Sequence, residues 1–114
     1  MTVYKGQSVT LDCQAVLHER IIWRYISQDD KNDVRIVYSK NKIYKAYLQR
    51  FRISRPERGV FDLVISRVNA SDAGTYKCIE NKGEHPGEAC TELHVTGETN
   101  LISELKNNIK YTHL

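Results

Sequence analysis

"DAGTYKC", residues 72–78, is the stretch on which the fold turns. Asp72, Gly74, Tyr76 and Cys78 occupy alternate positions, and alternate residues of a strand share one face. An acid, a glycine, a phenol and a thiol on one face is more chemistry than a bare hydrophobic strand requires. Outward from it the chain reads as strands in both directions. "SVTLDC" (8–13) alternates, with Val9, Leu11 and Cys13 on one side, and "IIWRY" (21–25) is aromatic and branched. "VRIVYS" (34–39) and "KIYKAY" (42–47) are divided by the turn-like "KN". "RFRIS" (50–54), "VFDLVIS" (60–66), "GTYKCIE" (74–80) and "CTELHV" (90–95) complete the set. Between them lie "QDDKND", "RPERG", "NASDAG" and "ENKGEHPGE", all rich in turn formers. Many short strands at this spacing predict an all-β sandwich or barrel.

Composition narrows the function classes. The chain has 114 residues, 40% hydrophobic and 27% charged, which suits one globular domain with a modest core. A formal net charge of +3, evenly spread, is too small to argue for nucleic acid. The densest basic run is "KNKIYKAYLQRFR", with Lys40, Lys42, Lys45, Arg50 and Arg52; it reads as a solvated strand face or as a patch for an acidic partner. No transmembrane segment is expected, since no apolar run approaches the length of a membrane helix. "MTVYKGQSV" has no apolar core region of a secretory signal, and Met1 reads as an expression start on a trimmed fragment. No GxSxG, P-loop or HExxH occurs, so the chain is not expected to be an enzyme. His18, His85, His94 and His113 show no metal-ligand spacing with the cysteines, and neither a metal nor a cofactor is expected.

Cys13, Trp23 and Cys78, with "DAGTYKC" around the last, resemble the immunoglobulin superfamily. The resemblance implies a sandwich of two antiparallel sheets with a Cys13–Cys78 bridge across the core and Trp23 packed against it. Tyr76 takes the tyrosine-corner position, and Gly74 permits the tight corner before its strand. The resemblance also implies an ion pair of Asp72 with Arg50 at the start of "RFRIS", and breaking such a buried pair costs about 3–5 kcal/mol. A bridge closing a loop of this length contributes roughly 4 kcal/mol in the chain-entropy model. Leu63, with Ile65 and Val68 in "FDLVISRV", completes the core signature. The two extra strands "VRIVYS" and "KIYKAY" fit the places of C′ and C″, which makes the resemblance one to the variable type, the V-set, over residues 1–96. Residues 97–114 are left as a C-terminal extension or linker.

Departures from the antigen-receptor pattern are visible. "PGEACTELHV" keeps Thr91, Leu93 and Val95 but has Cys90 where a second bulge glycine stands, and "WRYISQ" replaces the usual "WYRQ". The segment between Cys13 and Trp23 leaves a small BC loop. The resemblance therefore implies a germline-encoded immune-type receptor or adhesion domain, extracellular or at the cell surface, which binds a protein ligand or itself. An intracellular structural domain of a muscle-type array is the alternative, favoured by the Asn-x-x-Gly of "CIENKG", and disulfide state separates the two. A third is a polysaccharide-binding V-set domain.

With Trp23 and Cys78 inward, Ile22, Arg24, Lys77 and Ile79 face out on the GFCC′C″ sheet, and Cys90 and Glu92 join them. These six are the candidate interface. Cys90 is left over once the bridge is assigned, which suggests an intermolecular bridge across a two-fold homodimer or a free thiol; the bland reading is a small apolar residue shielded by the FG loop. "NAS" (69–71) is a glycosylation sequon at Asn69, and equally a plain turn. In "NLISELKNNIKYTHL", Leu101, Leu105 and Ile109 recur at helical spacing, which predicts a short amphipathic helix, an ordered linker, or the start of a second domain.

Overall fold

The computed structural model describes residues 1–13, 21–80 and 87–97. Among the described residues nine strands run in chain order: β1 (Thr2–Tyr4), β2 (Val9–Leu11), β3 (Ile21–Ser27), β4 (Val34–Ser39), β5 (Lys42–Ile43), β6 (Phe51–Arg55), β7 (Val60–Ile65), β8 (Gly74–Glu80) and β9 (Gly87–Thr96). They form a six-stranded sheet ordered β1-β9-β8-β3-β4-β5 and a three-stranded sheet ordered β2-β7-β6. The two layers make the expected V-type sandwich. All pairings are antiparallel but one, since β1 lies parallel to β9, with Val3 opposite Val95.

Alternation in the sequence becomes alternation in burial. Ile21, Trp23 and Tyr25 of β3 are buried, and so are Gly74, Tyr76, Cys78 and Glu80 of β8. Leu11, Leu63, Ile65, Val37, Val68 and Leu93 fill the space between the sheets. A disulfide joins Cys13 to Cys78 with their Cα atoms 5.8 Å apart. Trp23 is 1% exposed, and its indole N–H donates to the Phe61 carbonyl at 2.8 Å, so the polar atom brought inside keeps a partner.

The corner before β8 is tightly bonded. Arg50 donates two hydrogen bonds to Asp72, at 2.7 and 2.8 Å, in the planar fork geometry that suits a carboxylate. Asp72 also accepts from the Asn69 backbone N–H at 2.9 Å, and its own carbonyl accepts the Tyr76 hydroxyl at 2.6 Å. The Asp72 carboxylate raises the Arg50 pKa further, and burial pushes that of Tyr76 up. Gly74 has a deeper reason than the turn itself. A Cβ there would lie 2.5 Å from the Ile26 carbonyl oxygen and 2.7 Å from the Tyr25 ring. Strand β3 therefore approaches β8 at a distance only glycine allows.

The expected strand "KIYKAY" needs correction. Only Lys42–Ile43 is a strand, and Lys45–Tyr47 is a turn of 3-10 helix. Lys40 and Asn41 both have positive φ (52° and 64°), the geometry of a two-residue hairpin turn, which starts β5 against β4. After Ile43 the chain leaves the sheet because Tyr47 packs edge-on against Phe51 with centroids 5.1 Å apart. Strand β9 begins three residues before the expected "CTELHV", at Gly87. The BC loop and the helical expectation for residues 100–114 lie outside the described residues.

Candidate functional site

The outward face of the six-stranded sheet is built in rows set by strand register. Ile22 on β3 faces Ile79 on β8, which faces Glu88 on β9. In the next row Ile36, Arg24, Lys77 and Cys90 lie side by side on β4, β3, β8 and β9. Val34, Ile26, Thr75 and Glu92 form the third. The six candidate interface residues thus lie on one continuous face. Ile22, Arg24, Lys77 and Ile79 are half-buried by their neighbours, while Cys90 and Glu92 are exposed.

Sequence reasoning missed five members of this face, among them Thr75, which alternation from Lys77 reaches. Ile26 was within reach of simple alternation from Ile22. Ile36 and Val34 were hidden by a bulge: the register slips between Trp23 and Arg24, so that β4 carries one extra residue and both Val37 and Tyr38 turn inward. Glu88 fell in a stretch read as turn, with no signal that β9 would reach back to it.

Arg24 and Lys77 are like charges directly opposite each other, an arrangement that destabilises an antiparallel pair. Glu88 offsets the repulsion, its Oε1 lying 3.2 Å from Lys77 Nζ. The hydrogen bond from Lys77, then that from Cys90, holds the Glu88 carboxyl below its usual range. The Cys90 Sγ donates to the same Glu88 oxygen at 3.4 Å. Desolvation against the sheet, followed by the Glu88 carboxylate, pushes the Cys90 thiol up, so its reactive thiolate is scarce at neutral pH. At the third row the face hollows into a depression of about 500 Å³ lined by Ile26, Thr75, Lys77, Glu92, Leu93 and His94. His94 is exposed and lies 3.8 Å from Glu92.

Asn69 lies between β7 and β8, as the N-cap of a 3-10 turn over Ala70–Asp72. Its Oδ1 accepts from the Ser71 backbone N–H at 3.0 Å and from the Ser71 hydroxyl. Among the described residues no cluster of three His, Cys, Asp or Glu side chains suits a metal ion, and no helix is long and apolar enough to cross a membrane.

A sandwich with this strand order, bridge and corner is the variable-type immunoglobulin architecture. The family model described as Immunoglobulin V-set domain matches residues 1–96, and the chain belongs to that family. Among solved structures it is similar to Tim-2, with a TM-score of 0.67 and 18% identity over 87% of this chain and 92% of that one, a likeness of fold. No curated protein matches.

Proposed function

We propose that this V-set domain is an extracellular recognition module of an immune-type receptor or adhesion protein, and that it binds a protein partner or a second copy of itself through the outward face of the six-stranded sheet. The observation that carries the reading is the composition of that face. Four isoleucines, Ile22, Ile26, Ile36 and Ile79, stay partly exposed with Val34 at 46%, around one row of charge. An apolar patch crossed by a few paired charges is the anatomy of a protein interface. In a two-fold dimer the same patch meets itself, and Cys90 near the axis is placed for a bridge if the two Cα atoms come within about 7 Å. A glycan on Asn69 belongs to the same reading. Attachment at Nδ2 leaves Oδ1 free to keep capping the turn.

The test is sedimentation at several concentrations together with binding of the isolated domain to a panel of cell surfaces. Ile26→Asp and Ile79→Asp should each weaken self-association or cell binding about tenfold or more. A chain that stays monomeric and whose cell binding ignores both variants rules this face out. Cys90→Ser separates packing from bridging, since an unchanged dimer under non-reducing conditions excludes the disulfide. Loss of mass from the secreted chain on glycosidase treatment checks Asn69.

A further inference from the structure

Residues 40–58 hold seven basic side chains and one acid, Glu57, a formal +6 in a chain whose total is +3, which leaves −3 for all the rest. Arg50 is taken up by Asp72. The other six, Lys40, Lys42, Lys45, Arg52, Arg55 and Arg58, are exposed, and no ion pair among the described residues involves them. Mutual repulsion on this scale is a standing cost to the fold that the fold itself does not offset.

The same segment carries a second, independent anomaly. Leu48 is 60% exposed and Tyr44 is 40%, two of the four large hydrophobic residues left in solvent among the described residues. Leu48 borders a recess of about 620 Å³ that opens at the edge of the sandwich, between β5 of one sheet and β6 of the other. Its walls are Tyr38, Ile43, Phe51, Ile53, Pro56 and Phe61, with Lys42 and Arg52 at the rim. The recess is open because the chain leaves the sheet after Ile43 instead of continuing as a strand.

We infer that this edge is a second docking surface, distinct from the six-stranded face, and that its occupant is an acidic, extended segment of a partner protein with apolar side chains interleaved among its carboxylates. The carboxylates meet the unpaired lysines and arginines at the rim, and an apolar side chain enters the recess. Complementarity of charge fixes the sign of the partner, and the recess fixes its class. A sulfated polysaccharide satisfies the rim but has nothing to place on an apolar floor. A lipid surface asks for apolar groups that protrude, whereas most of these line a hollow.

The probe is a capped heptapeptide alternating Glu with Leu, titrated into the isotope-labelled chain and followed by amide chemical shifts. Saturable shifts are expected at residues 42–43, 51–53 and 61, with the Ile22–Ile79 row silent. An all-Glu heptapeptide should bind about tenfold more weakly, and so should the alternating peptide to Leu48→Ser. Lys42→Glu combined with Arg52→Glu should abolish the shifts while leaving the spectrum otherwise folded. Raising salt from about 0.05 M to about 0.3 M should weaken binding several-fold. No shifts in residues 40–61 overturns the proposal. Equal binding of the all-Glu peptide, or displacement of the peptide by a heparin fragment at lower concentration, overturns it in favour of plain charge attraction. Tighter attachment to phosphatidylglycerol vesicles than to the peptide overturns it in favour of a membrane.

Discussion

The corner at residues 69–78 and the edge at residues 40–58 are opposite solutions to placing charge on a small sandwich. In the corner every charge is answered from within the chain. Asp72 accepts three hydrogen bonds on its carboxylate and a fourth on its carbonyl, and Tyr25 donates to the Ala73 carbonyl at 2.7 Å while its ring lies 5.0 Å from that of Tyr76. At the edge six cations point into water beside an apolar recess. Groups satisfied internally constrain one another's spacing, and so they stand in the sequence as a motif. Groups that are not satisfied internally carry no fixed spacing, and their meaning lies in what approaches from outside.

Substitutions should divide along this line. Asp72→Ala leaves the Arg50 guanidinium half-buried without its carboxylate and removes the cap on Asn69, and we expect a loss of about 4 kcal/mol in denaturant unfolding. A loss below about 1 kcal/mol would show the corner to be far less coupled than its geometry implies. Gly74→Ala forces its Cβ against the Ile26 carbonyl, a backbone atom that no rotamer change relieves, and should cost about 3 kcal/mol by the same measurement. Tyr76→Phe keeps the ring and strands one carbonyl, for about 1–2 kcal/mol.

At the edge, Lys40→Glu, Lys45→Glu and Arg58→Glu should each change stability by no more than about 0.5 kcal/mol, and in the stabilising direction because each relieves repulsion. A destabilisation beyond that would reveal internal partners for these charges. The smallest effect concerns rate rather than stability. Cys90, exposed yet held by Glu88, should react with iodoacetamide more slowly than free cysteine near neutral pH. Protonated thiol dominates until pH rises through the raised pKa, so Glu88→Gln should move the rate profile to lower pH. An unchanged profile in that variant would show the carboxylate to be irrelevant.

Legibility in the sequence followed the same division. The sandwich, the bridge and the Arg50–Asp72 pairing could be read because Cys13, Trp23, Arg50 and "DAGTYKC" must keep their order to meet. The outward face was legible on β3 and β8, where alternation is unbroken. It was not legible on β4, because a bulge is a one-residue register change that the side chains of Val34 and Ile36 do not announce. The strand "KIYKAY" misled for a related reason. Its alternation is genuine, but the chain turns out of the ladder after Ile43 into a 3-10 turn, where the ring of Tyr47 packs on Phe51. The basic run was noticed in the sequence, yet nothing there showed that a recess opens beside it.

The parallel pairing of β1 with β9 has a mechanical consequence. Met1 accepts from the His94 N–H at 2.8 Å and Lys5 donates to the Thr96 carbonyl at 2.8 Å, so these bonds form rungs between the first and last strands. Because the two strands point the same way, tension applied to residue 1 and residue 97 pulls along their shared axis in opposite senses. The rungs are then sheared together instead of being peeled one by one, and the domain is braced against traction between its ends. A single-molecule pull on Val3→Pro, which removes one backbone N–H donor from that strand, should yield at visibly lower force than the parent chain.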